Sequence, residues 1–383
     1  MSLILHSFDV TDRASIKKFI MVPWDIYADD PCWVPPLIKE RLDLLSPRHP
    51  YFEHAQARFW IAYRDNKAVG RISAQVDQLK PISESESVGY FGMFECVDDV
   101  EIAEELFAHA EQWISSHQCA LIRGPFSLSI NQESGLLIKG FDVPPYIMMG
   151  HAKRYYQNLF ERSHYRKAKD LFAWLNKCDF DNPPTMQRIL KRYENRIVLR
   201  DIDKNNIQAD MKIMLDIFND SWANNWGFIP FTENEFMHLG KEMLQLISPN
   251  HFKIAEFEGK PAGMVVGLPN FNEIIKDLNG RLLPTGIFKF LWRMKFSPPA
   301  SGRGALLGIK QEYQNHMKGS ALALTLIGKF KQFAIEVGFQ QHELSWVLED
   351  NERLNKILEG LGATQYKTYR VFEKRLLPQV KQA

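Results

Sequence analysis

The chain has 383 residues, enough for two domains, and its 45% hydrophobic and 24% charged residues are the balance of a chain that packs a core. A formal net charge of +1 offers no global field to recruit nucleic acid or an anionic membrane, so any anion site must be local. Four scattered cysteines, Cys32, Cys96, Cys119 and Cys178, form no Cys-x-x-Cys pair, which argues against a zinc site or disulfide framework and suits a reducing cytoplasm. The opening MSLILHSFDVTDR has no basic region and no long apolar run, so no signal peptide is expected. His54, His109, His151, His164, His251 and His342 show no metal spacing, and no metal is expected.

Residues 2–10 read as a strand and 12–20 as a helix, followed by a rigid loop dense in proline and tryptophan through Pro35-Pro36-Leu37. Two β-rich runs, 58–63 and 68–76, flank Asp65-Asn66-Lys67 and predict a hairpin. Further strands are expected at 88–96, 120–124 and 171–176, with a helix at 101–116 carried by Ile102, Leu106, Ala110 and Trp113. Asp181-Asn182-Pro183-Pro184-Thr185 reads as a linker. The same element order then recurs. Strands are expected at 196–202, 251–257, 261–268, 305–310, 342–348 and 366–373, and helices at 206–218, 233–246, 319–337 and 352–361. This is an α/β pattern of the α+β type with mixed sheets, in lobes 1–180 and 186–376 joined by 181–185. Residues 287–296 set Phe288, Phe290, Leu291, Trp292 and Phe296 among Lys289, Arg293 and Lys295. The commoner reading is a core-facing helix with solvated lysines, and the rival a segment that touches a membrane.

The strand at 305–310 leads into Gln314-Asn315-His316-Met317-Lys318-Gly319-Ser320-Ala321 and then a long predicted helix. A helix start offers several N–H groups pointing one way, and a small residue lets a phosphate approach them. This stretch resembles the acyl-CoA motif of the GCN5-related N-acetyltransferase (GNAT) superfamily, Arg/Gln-x-x-Gly-x-Gly/Ala after a strand, with Met317 where glycine is usual. A second stretch, Asn351-Glu352-Arg353-Leu354 through Leu358 to Gly362, resembles the family's later segment in the same register, with Leu358 replacing a tyrosine that often protonates the leaving thiolate. Ser301 to Gln311 also lacks the glutamate base of some members. Asp30-Pro31-Cys32-Trp33-Val34-Pro35-Pro36-Leu37, Gly92-Met93-Phe94-Glu95, Asn131-Gln132-Glu133-Ser134-Gly135-Leu136-Leu137, Asn225-Trp226-Gly227-Phe228 and Ser345-Trp346-Val347-Leu348-Glu349-Asp350-Asn351 are similar to a tandem-lobe bacterial branch that includes ceramide synthase-like acyltransferases.

The resemblance implies two GNAT-like lobes and acetyl-CoA or a longer acyl-CoA as co-substrate. Ile309, Lys310, Gln314 to Ala321 and Asn351 are expected at that ligand, and Glu349 or Asp350 as the base for an attacking amine, with capping of the following helix the commoner role for Asp350. A glutamate at Gly319 is expected to block the ligand with little cost to the fold. The first lobe has Asp98 and Glu101 as an acidic cap at its equivalent helix, which would exclude a pyrophosphate. Asn131, Glu133, Asn219, Trp222, Asn225 and Trp226 are candidates for the acceptor, though a surface loop or packing against a helix explains them as well. The implied activity is transfer of an acyl group to a small-molecule or lipid amine, with at most peripheral membrane contact and no nucleic acid. Rival readings are a sphingoid-type amine acyltransferase, a non-catalytic acyl-CoA-binding protein and an aminoacyl-tRNA-dependent transferase, the last disfavoured by the near-zero charge.

Overall fold

A computed structural model describes residues 3–79 and 86–376; Ser2, expected to open the first strand, lies outside them. The elements in chain order are β1 (Leu3–Phe8), α1 (Arg13–Ile26), α2 (Ile38–Leu44), β2 (Ala55–Arg64), β3 (Lys67–Asp77), β4 (Val88–Cys96), α3 (Val100–Ser116), β5 (Leu121–Gly124), β6 (Leu136–Lys139), α4 (Tyr156–Arg162) and β7 (Arg166–Lys177). They continue with α5 (Pro184–Tyr193), β8 (Ile197–Asp201), α6 (Ile207–Trp222), α7 (Glu233–Leu246), β9 (Phe252–Phe257), β10 (Lys260–Pro269), α8 (Asn272–Ile275), α9 (Gly286–Phe296), β11 (Ser301–Ile309), α10 (Met317–Glu336), β12 (Gln341–Leu348), α11 (Glu352–Gly360) and β13 (Thr364–Arg375). The expected strands and helices all form, with shifted ends. The proline pair read as linker leads straight into α5, where proline at a first helical position gives up no hydrogen bond.

The chain gathers into two compact units, one of Met1–Leu171, Asn272–Ser297 and Lys367–Ala383, the other of Phe172–Phe271 and Pro298–Tyr366. In the first, β1, β2, β3 and β4 pair antiparallel in sequence, and β4 pairs parallel with β5. The hairpin between β2 and β3 turns through Asp65 and Asn66, both at positive φ, as the short polar sequence predicts. Phe8, Phe19 and Phe59 stack under this sheet in a core closed by Ile16, Ile20 and Tyr51.

In the second unit β8, β9, β10 and β11 are antiparallel and β11 pairs parallel with β12. Leu322, Leu326, Phe330 and Phe333 recur along one side of α10 and bury against the sheet. Gly267 lets α10 lie close, because a Cβ there would sit 2.3 Å from the Phe330 ring. His342 on β12 is fully buried beside Phe330, 3.4 Å from the Cys178 sulfur. Burial pushes its imidazole down to about 4, whereas an unfolded histidine titrates near its ordinary value. The unfolded chain therefore binds the proton first as pH falls. Stability is expected to drop by roughly 3 kcal/mol between about pH 6.5 and pH 4. Chemical denaturation across that range should show the slope, and His342→Leu should flatten it.

Candidate functional site

β11 and β12 pair only where Ser301–Gly304 meets Gln341–Leu344. Beyond Gly304, β11 stays with β10, and the register slips so that Ala305 is an extra residue between Gly304 and Leu306. Such a bulge re-aims a strand. β12 runs on to Leu348 without β11, so the two parallel strands part at this point. Lys310 N–H donates to the Ala262 carbonyl at 2.9 Å, and strand alternation turns the Ile309 N–H to the opposite edge, toward the opening.

The loop from Lys310 to α10 is fastened by its own side chains. Gln314 Nε2 donates to the carbonyls of Ile309 (2.7 Å) and Ser221 (3.0 Å). The Gln311 N–H donates to Asp220 Oδ2 at 2.6 Å, and Asn224 Nδ2 donates to Gln311 Oε1 at 2.7 Å. Asn315 takes a left-handed φ of 61°, and His316 opens α10 without a side-chain cap or an acid in the first turn. Basic groups surround that start. Lys318 Nζ lies 4.7 Å over the Tyr313 ring, and Arg353 donates to the His316 carbonyl at 3.1 Å and to the Ser320 hydroxyl. Arg192 Nη1 lies 3.5 Å from the sulfur of Met317, which is 49% exposed. A helix N-terminus in this setting favours an anion.

Several expected ligand residues have other work. Ala321 is fully buried in the core under α10. Lys310 pairs with Asp216 at 2.5 Å. Asn351 caps α11, accepting from Leu354 N–H at 3.2 Å, so the capping role considered for Asp350 falls one residue later. Gly319 cannot be a neutral test position, because a Cβ there would come within 2.2 Å of the Tyr313 carbonyl oxygen. Leu358 packs against Trp174, Val347 and Ala363, so that position supplies no proton. Glu349 is half-buried in the turn after β12.

Among the acceptor candidates, Trp222 lies against the strand segment past the bulge; a Cβ on Gly308 would be 2.6 Å from its ring. Asn225 and Trp226 follow it, half-buried. Asn219 is spent on structure, donating to the Phe231 carbonyl and accepting its N–H, both at 3.0 Å. Asn131 and Glu133 belong to the other unit, where Glu133 is ion-paired with Arg41 and accepts from Ser127.

Two buried networks escape a reading by motif. In the second unit, Arg303 donates to Ser345 Oγ at 2.9 Å and pairs with Glu343 at 3.6 Å, while the Ser345 and Tyr366 hydroxyls donate to Glu343. Arg303 also lies 4.7 Å under the Trp346 ring. This cluster sits where β11 and β12 begin to part. In the first unit, Tyr156 donates to Glu95 at 2.8 Å, with Arg71 3.6 Å from the same carboxyl and Tyr27 also bonded to it. Burial pushes the Glu95 carboxyl up against the pull of Arg71. The only sequence signal for either network was that Glu95 and Ser345 fall in two of the branch-specific stretches.

The first unit repeats the bulge but not the parting, since the chain after β5 stays on β4, with the Phe126 N–H donating to the Phe91 carbonyl at 2.8 Å. β4 meets β5 only at Val88–Tyr90, its register with β3 slips between Arg71 and Ser73, and Met93 has a φ of 47°. Its helix start differs. Asp99, not Asp98, caps α3, accepting from the N–H groups of Glu101 (3.0 Å) and Ile102 (3.3 Å) and held by Arg64 at 2.7 Å.

A mixed sheet with a bulged strand that leads to a long helix, present twice in one chain, is a tandem GNAT fold. A tandem GNAT protein from the clavulanic acid biosynthesis pathway aligns with 99% of this chain and 100% of its own, at TM-score 0.58 and 11% identity. A GCN5-related N-acetyltransferase from Sphaerobacter thermophilus aligns at TM-score 0.51 and 14% identity, over 99% and 97% of the two chains. No family profile matches the sequence. The chain is 42% identical over 375 residues to the bacterial ceramide synthase of Caulobacter vibrioides, covering 97% of this chain and 98% of that one. It is 40% identical over 366 residues to Protein YghO of Escherichia coli (strain K12), covering 95% and 94%. The chain belongs to the family of these two proteins and has the tandem GNAT fold. Among the described residues, no group of three or more His, Cys, Asp or Glu is arranged to hold a metal ion, and no helix is long and apolar enough to cross a membrane.

Proposed function

We propose that this chain is an acyl-CoA-dependent N-acyltransferase whose donor site lies in the second unit. The observation that carries the reading is the parting of β11 and β12 directly before the uncapped, basic start of α10. The diphosphate of acyl-CoA would meet the α10 start beside His316, with Lys318 and Arg353 supplying positive charge. The thioester carbonyl would lie against the Ile309 N–H, which would stabilise the developing oxyanion. The amine nitrogen attacks the thioester carbon, the carbon–sulfur bond breaks, and the products are an amide and the free thiol of CoA. Glu349 or a water takes the proton that the amine loses, and the departing sulfur gains one. Positioning of the two substrates supplies much of the rate. The lobes are proposed to divide at 181–185, with the first, its helix closed by Asp99, serving the acceptor or the scaffold.

A lipid amine of the sphingoid type is the acceptor class favoured within this reading. Its support is the 42% identity to a protein named for making ceramide. The deciding experiment incubates the purified chain with acetyl-CoA or a long-chain acyl-CoA and either a soluble amine or a detergent-dispersed sphingoid base, and reads amide formation by mass spectrometry. Amide from the sphingoid base and long acyl-CoA is expected. Binding of acyl-CoA without any amide would replace this reading with a non-catalytic one.

A further inference from the structure

The helix α9 meets the core-facing expectation on one side only. Phe290 is buried, and Ile287 and Met294 are half-buried on the same side. The opposite side is apolar too. Phe288 (72% exposed), Leu291 (56%), Trp292 (59%) and Phe296 (62%) form a stripe at helical spacing open to solvent, and Leu283 (73%) precedes it. Scattered exposed leucines need no explanation, but a contiguous stripe of aromatic rings does.

We propose that the outer face of α9 docks this chain onto an anionic phospholipid surface. The charges around the stripe choose that occupant. Residues 272–297 carry Lys276, Arg281, Lys289, Arg293 and Lys295 against Glu273 and Asp277 alone. Asp277 is held by both Lys289 and Arg293, and Arg293 further donates to the Ile274 carbonyl, which fixes α9 against α8 from its inner side. Lys276, Arg281 and Lys295 are exposed on this same 272–297 segment, and Lys295 Nζ rests 5.2 Å over the Phe296 ring, its stem beside the apolar face. Lipid headgroups of negative charge meet such a rim while the acyl region accepts the rings, and tryptophan suits the boundary between them. A second copy of the chain would bring the same positive rim and be repelled. At eleven residues, α9 is about 16 Å long and far short of a span, so it lies flat in the surface.

The inference stands apart from the acyl-transfer reading, since binding is measured without any acyl-CoA. The test is co-sedimentation of the full chain with vesicles of phosphatidylcholine, or of phosphatidylcholine with about a third phosphatidylglycerol. About tenfold more protein is expected on the anionic vesicles at low salt. Phe288→Asp combined with Leu291→Asp should abolish binding to both, with circular dichroism and denaturation midpoint unchanged because both side chains are exposed. Lys295→Glu should lower only the anionic preference. No binding to either vesicle, binding indifferent to the double variant, or self-association in light scattering that the double variant abolishes would each overturn the proposal.

Discussion

Replacing Met317 by glutamate is expected to weaken acyl-CoA binding at least about tenfold while leaving the free protein as stable as before, or slightly more so. Met317 is the first residue of α10 and is 49% exposed, so a polar side chain of the same length costs little packing. An acid in the first helical turn interacts favourably with the helix dipole by about 0.5 kcal/mol, and here it would also meet Arg192. The same carboxylate would sit in the anion's place and repel a diphosphate. Calorimetric titration with acyl-CoA, beside denaturation of the free protein, separates the two effects. If Met317→Glu binds normally, the diphosphate does not lie at this helix. Gly319, which the sequence alone marked for this experiment, is unsuitable, because any side chain there collides with the Tyr313 backbone and mixes loss of fold with loss of ligand.

Glu343→Gln should destabilise the second unit by about 3 kcal/mol, read as a lower denaturation midpoint. The side chain is fully buried, accepts from the Ser345 and Tyr366 hydroxyls and faces Arg303, itself 2% exposed. The amide keeps the shape but removes the charge that Arg303 meets, and removing one charge from a buried pair costs more than removing both. Arg303→Met in the same chain should therefore recover part of the loss. Full additivity of the two changes would mean that the pair is not coupled.

The elements were readable from sequence because their signals are local. Asp65-Asn66 and Glu258-Gly259 mark tight turns by residue type alone, and both adopt the positive φ values those residues tolerate. The uncapped start of α10 was readable for the same reason, from the lack of any acid between Gln314 and Lys331. The first lobe's cap was misplaced by one residue because Asp98 and Asp99 are equally good caps in a string of letters; the backbone decides which carboxylate faces the free N–H groups. The Arg303–Glu343–Tyr366 cluster was not readable. Its members come from three strands, and only the register of β11 on β12 puts the first two side by side. Nor could periodicity show which side of α9 is covered, since apolar residues occur on both.

Asp99 gives the first lobe a resident anion. Its helix start is satisfied by the chain's own carboxylate at every concentration of every ligand, whereas the start of α10 has no side-chain cap and, with the proposed donor site, would gain that satisfaction from the ligand. Mass action then treats the two units differently. Rising acyl-CoA should lift the unfolding midpoint of the second unit and leave the first where it stands. The order in which the units melt thus becomes a gauge of how much donor is present.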